Sequence, residues 1–309
     1  MKKKILIAVD CSIYSSQSLD YLTKIFAQEQ DVSFQIINCV TSGGGVIESS
    51  ADQADSLIPE CSNHGKNKGA GHDYLIKARE KLIRRGIAPE RITIESVVSG
   101  YNFGATIQLT AQKNLVDAIL IGRRGLGYLS KVLMGSVSEK LVEDCHEIPI
   151  WLIDGEIEAK NILVPVDGTL PSMLAADHLA HIIEGRSDLR IYLFHCNRLM
   201  HKRITCEPKD FYDHWDQDWC DKHLSDGKCL FEGPTQLLVE AGIPKEQIIT
   251  LPTVMDLEEA HAILAHARKH DCGTIVIGRR GKGITKGILG GVSDRTAKHA
   301  QDVALWIVG

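Results

Sequence analysis

Short apolar runs alternate along the chain with segments in which apolar residues recur at helical spacing. In the first half the runs lie near residues 4–10, 33–40, 91–98, 117–122 and 148–153. Each run is almost continuously apolar, as expected for a strand covered on both faces. Between the first two runs, apolar side chains follow three- and four-residue spacing at Leu19, Leu22, Ile25 and Phe26. The alternation predicts a parallel sheet with helices on both faces and right-handed crossovers.

The same pattern occurs twice. Residues 5–10 (ILIAVD) recur 157 positions later as ILVPVD, and residues 119–125 (ILIGRRG) recur 156 positions later as IVIGRRG. Residues 137–139 (VSE) recur 155 positions later as VSD. This near-constant spacing argues for duplication of a unit of about 150 residues, a normal domain size. We therefore predict two α/β domains, residues 1–155 and 156–309.

The sharpest motif follows the fourth apolar run. Gly122 and Gly125 are separated by two residues, and nine more lead to Gly135 and Ser136. Glycines that leave a buried strand permit a tight turn and let backbone N–H groups approach an anion. Ser136, with Glu139 three residues later, predicts a capping box at the start of a helix. The first-turn N–H groups and the dipole of such a helix suit a phosphate chain.

Asp10 ends the first run, at the carboxyl end of a strand, where parallel sheets bind ligands. It is placed to accept hydrogen bonds from a ribose or to help hold a metal, and Arg123 and Arg124 would add positive charge. The alternative is that the glycines serve only tight packing and that Ser136 is only a helix cap. No Lys-Ser/Thr pair follows the glycines, so this is not a P-loop, and the dinucleotide fingerprint lacks its third glycine.

These residues resemble the universal stress protein family, whose ATP-binding members carry the same Gly-x-x-Gly, nine-residue, Gly-Ser/Thr spacing. The resemblance covers both halves apart from two irregular stretches, 41–72, where we expect a mobile loop, and 197–229. It implies two tandem Rossmann-like domains of the adenine nucleotide alpha-hydrolase-like type, each with a five-stranded parallel sheet and helices on both faces. It also implies that adenine, ribose and phosphates contact residues of the first half, namely Ala8, Val9, Asp10, Cys39, Ile121, Gly122, Arg124, Gly125, Gly135, Ser136, Val137 and Ser138.

The second half departs from this motif. The spacing from Gly281 to Gly290 is one residue short, and Gly291 stands where the family has Ser or Thr. If nine residues are instead counted between Gly281 and Gly291, Val292 occupies the position where the family has Ser or Thr. Backbone N–H groups could still hold a phosphate, so we expect a weakened second site. Its residues would be Pro165, Val166, Asp167, Gly278, Gly281, Gly290, Gly291, Val292 and Ser293.

The resemblance implies a stress-response sensor or regulator that binds ATP or another adenine nucleotide, with magnesium, and hydrolyses it slowly or not at all. The sequence contains no Gly-x-Ser-x-Gly or His-Glu-x-x-His motif, and no catalytic residue can be named. The resemblance further implies that the domains pair through their last strands, 150–153 and 305–308. The chain would then be an intramolecular pseudo-dimer that could dimerise again or bind an unidentified protein partner.

Charge and hydropathy exclude several other classes. The formal net charge is −5 and the sequence pI is about 6.2, so no basic field exists to capture nucleic acid. The apolar run that follows residues 2–4 is too short for a signal peptide. No apolar stretch approaches the roughly 20 residues that span a bilayer. We expect a cytoplasmic location.

The nine cysteines are odd in number and form no Cys-x-x-Cys pair, so we expect mostly reduced core thiols, with Cys39 and Cys196 at strand ends. Residues 197–229 are rich in His, Cys, Asp and Trp. Trp215 and Trp219, four residues apart, predict a short amphipathic helix packed on the domain with the polar residues outside. The rival hypothesis is a zinc site formed by Cys206, His214, Cys220 and His223. A third is a protein-interaction scaffold with vestigial nucleotide loops.

Overall fold

The computed structural model describes residues 2–41, 68–100, 102–125, 134–198, 206–279 and 291–309. The chain divides into two compact units, Met1–Glu158 and Ala159–Gly309. Each unit has the predicted Rossmann-like α/β fold, with a five-stranded parallel sheet and connecting helices.

The strands of the first unit follow the predicted apolar runs closely. They are β1 Lys3–Ala8, β2 Val32–Thr41, β3 Ile92–Ser99, β4 Ala118–Gly122 and β5 Ile150–Ile153. Their order in the sheet is β3-β2-β1-β4-β5, and all neighbours are parallel. Every residue of β4 and β5 is buried, which explains why these runs show no polar alternation. The helices are α1 Ile13–Phe26, α2 Lys68–Arg84, α3 Phe103–Lys113 and α4 Ser136–Asp144.

The predicted bounds of the loop 41–72 are wrong at both ends, because regular structure extends into the stretch from each side. Thr41 is the last residue of β2, and α2 already begins at Lys68. The Gly/Ser/Asn composition suggested a loop through Gly71, but this glycine lies close to Asn38 of β2, where a β-carbon would be 2.7 Å from Asn38 Oδ1. A residue without a side chain therefore lets α2 approach the strand. The rest of that stretch, residues 42–67, lies outside the described residues.

The second unit repeats the arrangement. Its strands are β6 Asn161–Pro165, β7 Ile191–Phe194, β8 Cys196–Arg198, β9 Ile248–Thr250, β10 Val254–Asp256, β11 Cys272–Gly278 and β12 Ala304–Val308. Within the unit the main-sheet order is β12-β11-β6-β7-β9, and β8 pairs with β10 in a separate parallel pair. The helices are α5 Leu170–Ile182, α6 Gln217–Leu224, α7 Glu232–Glu240, α8 Glu259–Lys269 and α9 Val292–His299.

Both sheets reverse their strand order beside their first strand. In the first unit β1 lies between β2 and β4, and Ala8 pairs with Ile121. In the second, β6 lies between β7 and β11. Ligands of open parallel sheets bind beyond the carboxyl ends of the strands at such a switch point. The fold therefore directs attention to the turns after β1 and β4, and to those after β6 and β11.

The segment before α7 packs as part of the second unit. Phe211, Cys220, Leu224 and Cys229 join Met173 of α5 in one buried cluster. Trp215 and Trp219 pack against this cluster with their ring centroids 6.2 Å apart. The predicted helix is confirmed as α6, although Trp215 precedes it. The expectation that the polar residues lie outside is wrong for Cys220 and His223, which are buried on the packed face.

Cys206 and Cys229 form a disulfide, with their Cα atoms 6.5 Å apart. Our expectation of reduced thiols is wrong for this pair, because the fold brings together two cysteines that are 23 residues apart in sequence and share no motif. Among the described cysteines, six are not part of a disulfide, namely Cys11, Cys39, Cys145, Cys196, Cys220 and Cys272. No helix within the described ranges is long and apolar enough to cross a membrane.

The disulfide predicts the thiol count of protein purified and denatured without reductant. A colorimetric thiol titration should find two thiols fewer than the nine cysteines of the sequence. Cys206→Ser should raise the count by one, because it frees Cys229, whereas Cys220→Ser should lower it by one. Nine reactive thiols in the unreduced protein would contradict the pairing.

Candidate functional site

The turn after β1 is organised by the carboxylate of Asp10. Its Oδ1 accepts hydrogen bonds from Ser12 N–H at 3.1 Å and from Ser15 Oγ at 2.7 Å. Ser15 Oγ also accepts the Asp10 N–H at 3.0 Å, and Ser12 caps α1 by accepting the Ser15 N–H at 3.2 Å. Cys11 has a φ of 66°, a left-handed conformation that costs a non-glycine residue about 1–2 kcal/mol. These bonds hold a strained turn and fix Asp10 at the carboxyl edge of the sheet.

The glycines after β4 lie close to that turn. A β-carbon at Gly125 would lie 2.5 Å from Asp10 Oδ2, and one at Gly122 would lie 3.2 Å from Tyr14 Cβ. Real β-carbons essentially never approach a heavy atom as closely as 2.5 Å. The structure thus brings the predicted residues Asp10, Gly122 and Gly125 together, and a side chain at position 125 would have to displace the carboxylate.

The start of α4 differs from the predicted capping box. Gly135 is the N-cap, with φ −65° and ψ 144°, and Ser136 is already the first helical residue. The predicted cap at Ser136 is therefore wrong, because Gly135 takes the extended cap conformation and its carbonyl accepts the Glu139 N–H at 2.8 Å. Within the described part of the chain, no side chain caps this helix. Ser138 instead donates its hydroxyl to Gly122 O at 2.9 Å, which ties the helix to the end of β4.

Asn38 of β2 fixes the backbone beside the predicted adenine pocket. Its amide donates to Val9 O at 3.1 Å, and the side chain is buried. Cys39, the next residue, is half-buried, and burial raises the pKa of its thiol to about 11. Ala8 and Val9, at the end of the neighbouring strand β1, are also buried.

The two arginines after β4 turn toward the last strand of the unit. Arg124 bonds Asp154 Oδ1 through Nε at 2.8 Å and lies over the Tyr14 ring, 4.4 Å from its centroid. Arg123 is fully buried, with Nη1 4.0 Å from the same carboxylate oxygen, and its burial lowers the pKa of the guanidinium. The buried Asp154 carboxylate therefore neutralises much of the positive charge that the sequence suggested would face a ligand. The backbone between Gly122 and Gly125 lies at the edge of the site, beside the turn that holds Asp10.

The second unit repeats the turn after its first strand. Asp167 Oδ1 accepts the Thr169 N–H at 3.0 Å and the Thr169 hydroxyl at 2.5 Å. Gly168, with a φ of 76°, stands where the first unit has the strained Cys11. Val166 O lies 2.7 Å from His195 Nδ1, so this histidine takes the role of Asn38.

The remaining predicted residues of the second site fall into two groups. Pro165, Val166 and Asp167 lie at the end of β6, while Gly278 ends β11 and a β-carbon there would lie only 2.0 Å from Pro171 O. Gly291, Val292 and Ser293 begin α9, with Gly291 as N-cap. Gly281 and Gly290 lie outside the described residues.

The predicted zinc ligands do not meet. Cys206 is consumed by its disulfide with Cys229, and His214 is exposed. The Cys220 thiol donates to Trp215 O at 3.7 Å, and His223 packs against Trp219 with ring centroids 5.1 Å apart. Within the described ranges, no three His, Cys, Asp or Glu side chains are grouped to hold a metal ion.

Sequence reasoning missed Asn38, Tyr14 and Asp154. Asn38 carried a usable signal, because it is a polar residue inside an apolar run, immediately before the predicted Cys39. Asp154 follows the last apolar run of the unit, and only the fold shows that this end lies beside Arg124. Tyr14 gave no signal, since it lies among the polar residues at the start of α1.

Comparisons with known proteins identify the family. The family model described as "Universal stress protein family" matches residues 1–153 and again residues 158–306. Universal stress protein YxiE of Bacillus subtilis (strain 168) is 27% identical over 158 residues, which cover 50% of this chain and 99% of that protein.

Two solved structures extend the comparison. A universal stress protein from Archaeoglobus fulgidus DSM 4304 is similar over 100% of this chain and 96% of its own, with 17% identity and a TM-score of 0.64. A universal stress protein in complex with cAMP is 18% identical and covers 49% of this chain and 96% of its own, with a TM-score of 0.34.

A match of the family model to both halves, together with the duplicated fold, leads to one assignment. The chain is a tandem member of the universal stress protein family.

Proposed function

We propose that the first unit binds ATP or another adenine nucleotide at the carboxyl edge of β1 and β4. The observation that carries the proposal is the start of α4, a glycine-capped helix end that Ser138 ties to Gly122. The N–H groups of a first helical turn have no partner within the helix and attract anions. The phosphate chain would lie over Gly135, Ser136, Val137 and Ser138.

Asp10 would contact the ribose or a magnesium ion. Its carboxylate is fixed by Ser12 and Ser15 and lies against Gly125 on the same edge of the sheet. A carboxylate accepts hydrogen bonds from hydroxyl groups, and magnesium in nucleotide sites is typically held by one or two carboxylates plus phosphate oxygens. The base would lie toward Ala8, Val9 and Cys39. The first two side chains are apolar and buried, and burial raises the pKa of the Cys39 thiol, which therefore stays neutral.

The second unit would bind nucleotide more weakly. Gly291 replaces Ser136 when the residues are matched at a separation of 155, so one hydroxyl is lost from the helix start. The base end is also altered, because His195 replaces the smaller Asn38 and its ring lies edge-on to Phe231 at 6.4 Å.

The role of this binding is that of a sensor. No residue is proposed as a general base, so nucleotide would be released unchanged or hydrolysed slowly. A bound nucleotide would act by stabilising one of the states of the protein, and its effect is limited to its difference in affinity between those states.

Two glycine variants separate a damaged turn from a blocked ligand. Gly125→Ala should weaken Mg-ATP binding by about tenfold or more, roughly 1.4 kcal/mol, because the new methyl group displaces Asp10. Gly135→Ala should weaken binding similarly, because the added methyl group would block close approach of the phosphates to the backbone. It should leave the melting temperature nearer wild type, since a β-carbon there meets nothing closer than 3.5 Å. Calorimetric titration and thermal melts measure both effects.

Gly104→Ala in α3 is the matched control, because its β-carbon would make only ordinary contacts, with the flexible Lys140 side chain at 3.4 Å and with Asn102 Oδ1 at 3.5 Å. It should bind Mg-ATP like wild type. Unchanged Mg-ATP affinity in both Gly125→Ala and Gly135→Ala would rule out this site.

Asp10 and Asp167 provide a second matched pair within one chain. Asp10→Asn should weaken Mg-ATP binding by about tenfold to a hundredfold, because a hydrogen bond to a charged group contributes about 1.5–3 kcal/mol. Asp167→Asn, which changes the equivalent turn of the second unit, should leave the high-affinity binding unchanged. Equal losses in the two variants, measured by the same titration, would contradict a nucleotide site centred on the first unit.

A further inference from the structure

Helices α4 and α9 are equivalent in the two units, but α9 starts one residue later in the matched sequence. In the first unit α4 begins at Ser136, so the third helical residue is Ser138. In the second unit α9 begins at Val292, one position later in the matched sequence, so the third helical residue is Asp294. Glu139, the counterpart of Asp294 in sequence, is thereby the fourth residue of α4 and is exposed.

This shift brings a carboxylate to the front of α9. Asp294 Oδ2 accepts the N–H of the N-cap Gly291 at 2.9 Å. In the first unit the N–H of the N-cap Gly135 is instead bonded to the backbone carbonyl of Arg123, also at 2.9 Å. A carboxylate at a helix N-terminus is itself the anion that the helix dipole attracts. The start of α9 therefore already holds an anion supplied by the protein.

Neighbouring substitutions add negative charge at the same end of the second unit. The first unit has Gly100, Asn102 and Phe103 before and at the start of α3, and the second unit has Asp256, Glu258 and Glu259 at the matched positions. Arg295 of α9 lies 3.7 Å from Glu258 and 3.3 Å from Glu259.

These pairs place the start of α8 beside α9. One arginine faces two glutamates there, and Asp256 and Asp294 carry further negative charge. The local net charge is therefore negative, which opposes the binding of a phosphate chain.

We propose that Asp294 is the specificity-determining residue that weakens phosphate binding in the second unit. It acts as an internal anion at the start of α9, where the first unit would receive the phosphates of its nucleotide. This inference rests on the proposed function of the first unit. The weak nucleotide binding proposed for the second unit would then come mainly from the nucleoside part of the ligand rather than from its phosphates.

The test uses the full chain and Asp294→Asn, whose amide oxygen can still accept the Gly291 N–H and so preserve the helix cap. Mg-ATP, adenosine and inorganic tripolyphosphate are each titrated into wild type and variant by calorimetry. The variant should gain a second Mg-ATP site and bind tripolyphosphate about tenfold tighter, because one repulsive unit charge is removed. Its affinity for adenosine should not change.

Glu139→Gln is the control, since it removes the matched charge from the first unit at an exposed position. It should leave the number of Mg-ATP sites as in wild type. Asp294→Asn binding that equals wild type for both Mg-ATP and tripolyphosphate would overturn the inference. If wild type binds no Mg-ATP, the proposed function fails, and the tripolyphosphate comparison still decides the role of Asp294.

Discussion

The site depends on one interaction, the pair of hydrogen bonds that Asp10 accepts from Ser12 and Ser15. These bonds hold the turn after β1 despite the left-handed backbone at Cys11, and they present the carboxylate to Gly125. Strained residues persist only where the surroundings over-determine them, and they cluster at functional sites. The carboxylate leaves no room for a side chain at position 125, so it constrains the loop after β4.

Duplication makes the chain its own comparison. The second unit keeps the aspartate turn through Asp167 and keeps a side-chain hydrogen bond to the strand-end carbonyl through His195. It has lost the strain, because Gly168 occupies the left-handed position. It has also gained Asp294 at the start of α9 and acidic residues at the start of α8. The aspartate turn is present in both units, whereas Asp294 and the acidic residues at the start of α8 are found only in the second, at positions that would face a phosphate chain under the proposed function.

Most of the fold could be predicted from sequence, because buried parallel strands leave long apolar runs and a tandem repeat shows each run twice. The site was harder. Glycine spacing located the loop, but it could not reveal that Gly135 rather than Ser136 caps α4, since cap geometry depends on a one-residue choice of helix start. Asp154 and the Cys206–Cys229 disulfide also escaped prediction, because their contacts join segments that only the fold brings together.

The most direct test is to identify what the protein carries when it is purified without added nucleotide. The protein is denatured, and the released small molecules are separated by chromatography and quantified against chain concentration. Our account predicts about one adenine nucleotide per chain, held by the first unit. Two per chain would contradict the difference between the units. No nucleotide, together with no change in melting temperature on adding Mg-ATP, would contradict nucleotide binding itself.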